Sequence, residues 1–494
     1  MESIIKTKTG LEQHFAPFRE KIVGSKTEFT TPYGKKPLIY ADWTASGRLY
    51  APIEEKLSYD IGAFVGNTHT ETSTTGTAMT KAYHRAKKII KKHVNASESD
   101  VLISSNSGMT GVINKFQRIL GLKLHERFDS MIELDQKDRP IVFVTHMEHH
   151  SNQTSWLETI AEVVVIQATE EGLVDLDDLV RLVGEYPERT KIAAVTSCSN
   201  VTGLMTPYHD IAKIMHQNDG LCFVDFACSA PYIDIDMNPS NDLERLDAIY
   251  FSPHKFLGGP GSAGVLIFKA ELYKNRVPDN PGGGTVNWTN PWGEHSYIIE
   301  IEAREDGGTP SFLQTMRTAL SIQLKEEMGI TNILEREHEQ LSLLWPRMKA
   351  IPTLHLLADN QPDRLGVISF YFEDIHYNLA VKLLNDRFGI QTRGGCSCAG
   401  TYGHYLLEVS HQKSKNIVSS ISHGDYSQKP GWVRLSIHPT MTNEEILYIA
   451  KALETLAEKH KEWSADYVYD LHKNEFYHQS NPTMEIDLVD KWFR

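Results

Sequence analysis

Between about residue 50 and residue 275, short apolar runs alternate with helix-patterned stretches, and this alternation constrains the fold most strongly. The runs lie at 101–103, 141–144, 162–166, 192–196, 222–224, 248–250 and 264–268. Most are nearly continuous in Val, Ile, Phe, Ala and Leu, as expected of strands buried on both faces of a parallel sheet with helices as crossovers. The expected fold class is α/β, with a mostly parallel seven-stranded sheet in a large domain. Past residue 310 the pattern changes. It predicts helices over 312–327, 332–348, 377–388 and 442–463, and strands near 365–373 and 432–436, which together make a smaller α+β domain. A chain of 494 residues exceeds one compact core. The expected division is an N-terminal segment, 1–37, packing on the small domain. A large domain follows over 38–310, then a smaller one over 311–494 that carries a Cys-bearing loop and a C-terminal extension.

The net charge of −14 disfavours nucleic acid or an anionic membrane surface as a partner. No apolar run approaches the ~20 residues of a transmembrane helix. The opening residues, Met1 to Lys8, lack the apolar core of a secretory signal. Five cysteines thinly spread over the chain argue for a reducing compartment. The expected location is the cytoplasm.

Two of the strands deliver chemistry. Asp225 ends the run 222–224, and Lys255 follows the run 248–250, 255 − 225 = 30 positions later. Both are expected at the carboxyl edge of the sheet. A Lys and an Asp converging there suit pyridoxal 5′-phosphate (PLP). The amine forms a Schiff base with the cofactor, and the carboxylate keeps the pyridine nitrogen protonated so that the ring withdraws electrons. Read alone, Lys255 is equally a surface residue of a Gly-rich turn.

Further candidates sit at the ends of other strands. Ser107-Gly108-Met109-Thr110 opens a helix-patterned stretch and offers free N–H groups and hydroxyls to a phosphate, or serves as an ordinary N-cap. His149, in Glu148-His149-His150, can stack on a pyridinium ring; adjacent His residues are also potential metal ligands, but no partner set is evident, and no metal is expected. Asn200 can hydrogen-bond a ring hydroxyl or act as a turn residue.

Taken in order, Ser-Gly-Met-Thr (107–110), Glu-His-His (148–150), Ser-Asn-Val-x-Gly (199–203), Asp-x-Ala (225–227), Ser-x-His-Lys (252–255) and Gly-Thr-Pro (308–310) resemble the class V aminotransferases of PLP fold type I. The resemblance runs over roughly 38–455 and is greatest to cysteine desulfurases and selenocysteine lyases. It implies a PLP-dependent transferase fold and an amino-acid substrate. Lys255 would hold the cofactor, Asp225 pair with its nitrogen, His149 stack on the ring and Asn200 touch its hydroxyl. Gly108, Met109, Thr110, Ser252 and His254 would hold the phosphate. Thr309 would reach the phosphate of a neighbouring subunit, which implies a homodimer. The loop at 66–69 resembles the family's substrate-side loop, making Asn67 a substrate-contact candidate or a turn residue.

The segment Arg393-Gly394-Gly395-Cys396-Ser397-Cys398 places a thiol beside a cationic Arg, which favours a reactive thiolate. The same pattern also suits a small buried Cys or part of a metal site. The resemblance puts the persulfide-forming nucleophile at Cys398 and the Arg that binds the substrate carboxylate at Arg434. The expected activity is removal of sulfur from L-cysteine to give alanine, with a possible sulfur-acceptor protein as partner. The alternatives are a selenocysteine lyase, epimerase, β-lyase or aminotransferase on the same scaffold. Three features depart from the desulfurase pattern. Cys396 stands where His is common, Cys228 replaces the usual Gln, and Cys398 and Arg434 are 434 − 398 = 36 positions apart. The extra polar segment around 400–430 is a candidate lid or docking loop.

Overall fold

The computed structural model describes residues 10–68, 70–131, 133–480 and 484–494. His69 of the loop at 66–69 and residues 1–9 of the N-terminal segment lie outside the described residues. The chain divides into two units.

The larger unit comprises Ser46–Ser199 and Leu204–Ile330. Its sheet has seven strands: β1 (Val101–Ser105), β2 (Ile141–Thr145), β3 (Glu162–Ile166), β4 (Lys191–Thr196), β5 (Leu221–Asp225), β6 (Ala248–Phe251) and β7 (Gly264–Phe268). All seven expected strands are present, in the spatial order β1-β7-β6-β5-β4-β2-β3. β7 is antiparallel to both its neighbours, and every other pairing is parallel. The register aligns the strand ends: Thr196 pairs with Asp225, and Asp225 with Tyr250. Every residue of β2, β4, β6 and β7 is buried, which accounts for their near-continuous apolar sequences.

Helix α1 (Thr74–His93) starts on Ser73, whose side chain accepts from the Gly76 N–H, and ends with Lys91, Lys92 and His93 in its last turn. Helix α2 (Gly108–Ile119) places Met109, Val112, Ile113, Phe116 and Ile119 on one buried stripe. The Phe116 ring lies 5.1 Å from that of Phe223 and 5.0 Å from that of Phe268. This packing anchors α2 on the sheet and fixes where its N-terminus lies. Helix α3 (His150–Leu157) follows β2, and α4 (Phe312–Met328) packs Met316 and Ala319 in one buried cluster with Met79 and Ala86 of α1.

The smaller unit comprises Met1–Ala45, Asn200–Gly203 and Thr331–Arg494. It therefore begins again at 331 rather than 311, and it takes four residues from the middle of the expected large domain. Its antiparallel sheet contains β8 (Leu354–Leu356), β9 (Val367–Phe372), β10 (Arg393–Gly395) and β11 (Trp432–Ser436), in the order β8-β9-β11-β10. Helix α5 (Asn443–Trp463) opens with a reciprocal cap between Thr442 and Glu445. Arg19 Nη2 donates to Glu445 Oε1 at 2.6 Å, and the Tyr33 hydroxyl donates to Asp466 Oδ2 at 2.7 Å. These contacts join the N-terminal segment to this unit. The polar stretch at 400–430 forms two short helices, Gly400–Leu406 and His411–Ser422. No described helix is long and apolar enough to cross a membrane.

Candidate active site

The larger unit gathers most of the expected cofactor residues at the carboxyl edge of its sheet. The chain leaves β1, turns at Ser107 with φ 73° and enters α2 at Gly108 with φ 60°. The Ser107 side chain does not cap the helix. The Met109 N–H donates to Ser252 Oγ at 2.8 Å, joining the start of α2 to the end of β6. A Cβ on Gly108 would lie 3.0 Å from Ser252 Oγ and 3.8 Å from the His254 ring, so glycine permits this close approach. Thr110 Oγ1 is 2.6 Å from Ser151 Oγ, and the Ser151 N–H donates to His149 Nδ1 at 3.1 Å. The result is a set of N–H and O–H groups at a helix N-terminus, where Gly108, Met109 and Thr110 open α2 beside Ser252 and His254.

Asp225 is buried, and its Oδ1 accepts from the Ala227 N–H at 2.8 Å. Burial pushes its carboxyl up to about 6 despite the opposing pull of the Lys255 ammonium. Burial, with the Lys255 charge beside it, pushes the His254 imidazole down to about 4, so this ring is neutral at pH 7. The set fits a phosphorylated pyridine aldehyde. A protonated ring nitrogen supplies the cation that a buried carboxylate requires, and the α2 N-terminus receives the phosphate.

The sequence reading missed two parts of this region. Ser46 and Gly47 buttress the lysine turn, Pro253–Lys255. The Gly47 N–H donates to the His254 carbonyl at 2.9 Å, and a Cβ at Gly47 would sit 1.9 Å from the Phe256 carbonyl oxygen. The second is a buried network beneath His149. Glu148 accepts from Thr145 Oγ1 at 2.6 Å, the Thr196 N–H at 2.8 Å and Asn152 Nδ2 at 2.8 Å. The Tyr250 hydroxyl donates to Asn152 Oδ1 at 2.7 Å. Three strand ends, those of β2, β4 and β6, and α3 are thus tied together. The only sequence signal was a carboxylate directly before His149.

Burial holds the Glu148 carboxyl up at about 7. Its folded value lies above its unfolded one, so its contribution to stability is full below about pH 4.5 and is lost as pH rises through about 7. The stability of Glu148→Gln is therefore expected to fall less than that of the wild type between pH 5 and pH 8, by about 3 kcal/mol. Urea melts at both pH values check this, and parallel losses in the two proteins would rule out Glu148 as the titrating group.

The smaller unit carries the rest. Arg434 is 2% exposed. Its Nη2 donates to Asp42 Oδ1 at 2.8 Å and its Nη1 to the Asn200 carbonyl at 3.2 Å, while its Nε is buried with no partner. Asn200 Nδ2 donates to the Ser397 carbonyl at 2.8 Å, leaving Oδ1 buried and unpartnered. Asn200 therefore offers a ring hydroxyl oxygen its second amide N–H as donor or its unpartnered Oδ1 as acceptor. The Cys loop leaves β10 through a turn in which the Ala399 N–H donates to the Cys396 carbonyl. Ser397 and Cys398 both have left-handed backbones, φ 50° and 57°. Arg393 Nη2 lies 3.9 Å from Cys398 Sγ. The structure thus brings Asn200, Arg434 and Ser397 into one hydrogen-bonded cluster. Thr309 and Asn67 are exposed. Among the described residues no group of three or more His, Cys, Asp or Glu is placed to hold a metal ion.

The profile of the class-V aminotransferases matches residues 39–449. A probable cysteine desulfurase of Halalkalibacterium halodurans is 28% identical over 367 residues, covering 74% of this chain and 84% of the relative. One from Staphylococcus epidermidis is 30% identical over 369 residues, with the same coverage. Among solved structures, the apo cysteine desulfurase of Thermococcus onnurineus superposes with a TM-score of 0.72 at 21% identity, covering 90% of this chain and 98% of that one. The cysteine desulfurase CsdA of Escherichia coli gives 0.69 at 21% identity, with the same coverage. The fold is therefore that of these enzymes, and the chain belongs to the class-V aminotransferase family of PLP-dependent enzymes.

Proposed function

We propose that the protein is a cysteine desulfurase, moving the sulfur of L-cysteine onto Cys398 and releasing alanine. The observation that carries this reading is Cys398 itself, a partly exposed thiol on a left-handed turn beside the Arg393 guanidinium. The similarity to probable cysteine desulfurases over 74% of the chain supports it.

Bound PLP would supply an electron sink for the substrate's α-carbon. Lys255 Nζ would attach it and then carry the α-proton, Asp225 would hold the ring nitrogen protonated, and His149 would cover the ring. The α2 N-terminus, Ser252 and His254 would hold the phosphate. Arg434 would bind the substrate carboxylate, with its unpartnered Nε as one donor. In the sulfur step the substrate's Cβ–Sγ bond breaks and an S–S bond forms on Cys398. A thiol plus cysteine becomes a persulfide plus alanine, so the atoms balance.

The same reading makes the enzyme a cytoplasmic homodimer in which Thr309 serves the partner's phosphate, with a separate protein as sulfur acceptor. The exposure of Thr309 and the five free cysteines support it. Arg434→Lys keeps the charge but loses the planar fork. It is expected to raise KM for L-cysteine by about 10–100-fold, with a smaller change in kcat. An unchanged KM in a folded variant would remove Arg434 from substrate binding.

The experiment that tests the function is alanine and sulfide production from L-cysteine by the PLP-loaded protein with reductant. Equal amounts of both establish desulfuration. A PLP-bound protein inert towards cysteine transfers the assignment to epimerase, β-lyase, aminotransferase or selenocysteine lyase chemistry, distinguished by product.

A further inference from the structure

The smaller unit contains a cleft of about 1190 Å3 to which none of the chemistry above is assigned. Thr392, Gly394 and Gly395 line one side, Lys382 another, and the loop carrying Tyr426 and Lys429 and the hairpin carrying Lys473 and Tyr477 complete it. Its volume slightly exceeds the usual ~300–1,000 Å3 of small-molecule sites.

The charge of the cleft is opposite to that of the chain. The protein carries −14 overall, whereas this lining has three lysines against one glutamate, 3 − 1 = +2. Lys382 lies 3.8 Å from the Asp386 carboxylate. The other two ammonium groups sit beside rings instead: Lys429 Nζ is 6.0 Å from the Tyr426 centroid, and Lys473 Nζ is 5.7 Å from that of Tyr477. Thr392 Oγ1 is buried with no hydrogen-bond partner, a cost that a ligand oxygen would relieve. Two walls therefore each carry an aromatic ring with an ammonium over it, and the side lined by Thr392 carries a buried hydroxyl with no partner. Aromatic faces stack on flat heterocycles, and two ammonium groups lining one cleft suit a phosphate dianion.

We propose that this cleft binds a nucleoside monophosphate, with its base against Tyr426 or Tyr477, its phosphate between Lys429 and Lys473, and Thr392 Oγ1 hydrogen-bonded to the ligand.

The test uses the full-length, PLP-loaded protein, so that the phosphate cradle on the larger unit is already filled. AMP, GMP, CMP and UMP are titrated calorimetrically, alongside inorganic phosphate alone and a glutamate-rich peptide. At least one nucleotide is expected to bind saturably with a background of inorganic phosphate present. Binding should weaken about tenfold or more in Lys429→Gln/Lys473→Gln, and measurably in Thr392→Val, with melting temperatures and alanine production in the absence of nucleotide unchanged. The proposal is overturned if no nucleotide binds, if binding is unaltered in the variants, or if inorganic phosphate or the acidic peptide binds as tightly as the best nucleotide. Thr392→Val changes no charge, so it tests the site even if the double variant is perturbed.

Discussion

Lys255→Ala, purified with excess PLP, is expected to fold, to lose the cofactor's colour on dialysis and to release no alanine from L-cysteine. Retained folding follows from the backbone. The Gly47 N–H donates to the His254 carbonyl, the Phe256 N–H to the Pro253 carbonyl and the Gly259 N–H to the Phe256 carbonyl, each at 2.9 Å. None of these bonds involves the lysine side chain. Truncation removes three things together: the amine that would attach the cofactor, the base that would move the α-proton, and the cation that pulls the Asp225 carboxyl down. Loss of a positioned proton carrier alone costs about 10²–10⁴ in rate, and loss of attachment adds to it. The expected fall in kcat/KM is at least about 10³-fold. Borohydride reduction followed by peptide mapping checks the attachment: the wild type gains the pyridoxyl label on the peptide containing Lys255, and the variant gains none. A variant that keeps stoichiometric label on another lysine, with activity, would show that Lys255 is not the anchor.

The strands of the larger unit were legible because most are buried on both faces, β2, β4, β6 and β7 along their whole length, so their sequences are largely apolar and bounded by polar turns. The positions of Asp225 and Lys255 followed from the same runs, since a residue ending a parallel strand stands at the carboxyl edge whatever the helices do. The unit boundary was not legible. Asn200–Gly203 joins the smaller unit through Ser369 Oγ donating to the Val201 carbonyl (2.7 Å), Arg364 Nη1 to the Thr202 carbonyl (3.0 Å) and the Leu365 N–H to the Gly203 carbonyl (3.0 Å). These bonds span more than 160 residues of sequence and carry no local pattern. The helix at 312–328 was predicted as a helix, but its place with the larger unit depends on Met316 and Ala319 meeting Met79 and Ala86. Amphipathicity shows that a face is buried, not which partner buries it.

The site shows the same division. Residue types at strand ends pointed to His149, Asp225 and Lys255. The groups that hold them, Glu148, Asn152, Tyr250 and Gly47, are defined by contacts between distant elements. The Cys loop offered its thiols to a sequence reading, but not the consecutive left-handed residues that shape it, because serine and cysteine rarely adopt that conformation.

Cys398→Ala is expected to abolish alanine and sulfide release while keeping the cofactor's colour and its response to added L-cysteine. The variant separates the two halves of the proposed chemistry, since Cys398 belongs to none of the groups that would hold PLP. Three of the other four thiols are buried away from any such role. All five cysteines are among the described residues; Cys198, Cys222 and Cys228 are buried, and burial pushes the Cys222 thiol well above its ordinary value. A buried, protonated thiol is a poor nucleophile. Cys396 is partly exposed, as Cys398 is, so Cys396→Ala is the necessary control and is expected to keep most of the activity. Alanine already tolerates the φ of 57° at position 398 as well as cysteine does, so the substitution adds no backbone strain. The expected loss in alanine release is at least about 10³-fold, the scale of removing a covalent nucleophile. Mass spectrometry after a single turnover without reductant provides the direct check. The wild type should gain one sulfur atom on the peptide containing Cys398, whereas Cys398→Ala should gain none anywhere. Sulfur found instead on Cys396, with activity surviving in Cys398→Ala, would move the nucleophile two residues along the loop and leave the cofactor assignment intact. Full activity in both single variants would remove the loop from the chemistry and favour an elimination that needs no protein thiol.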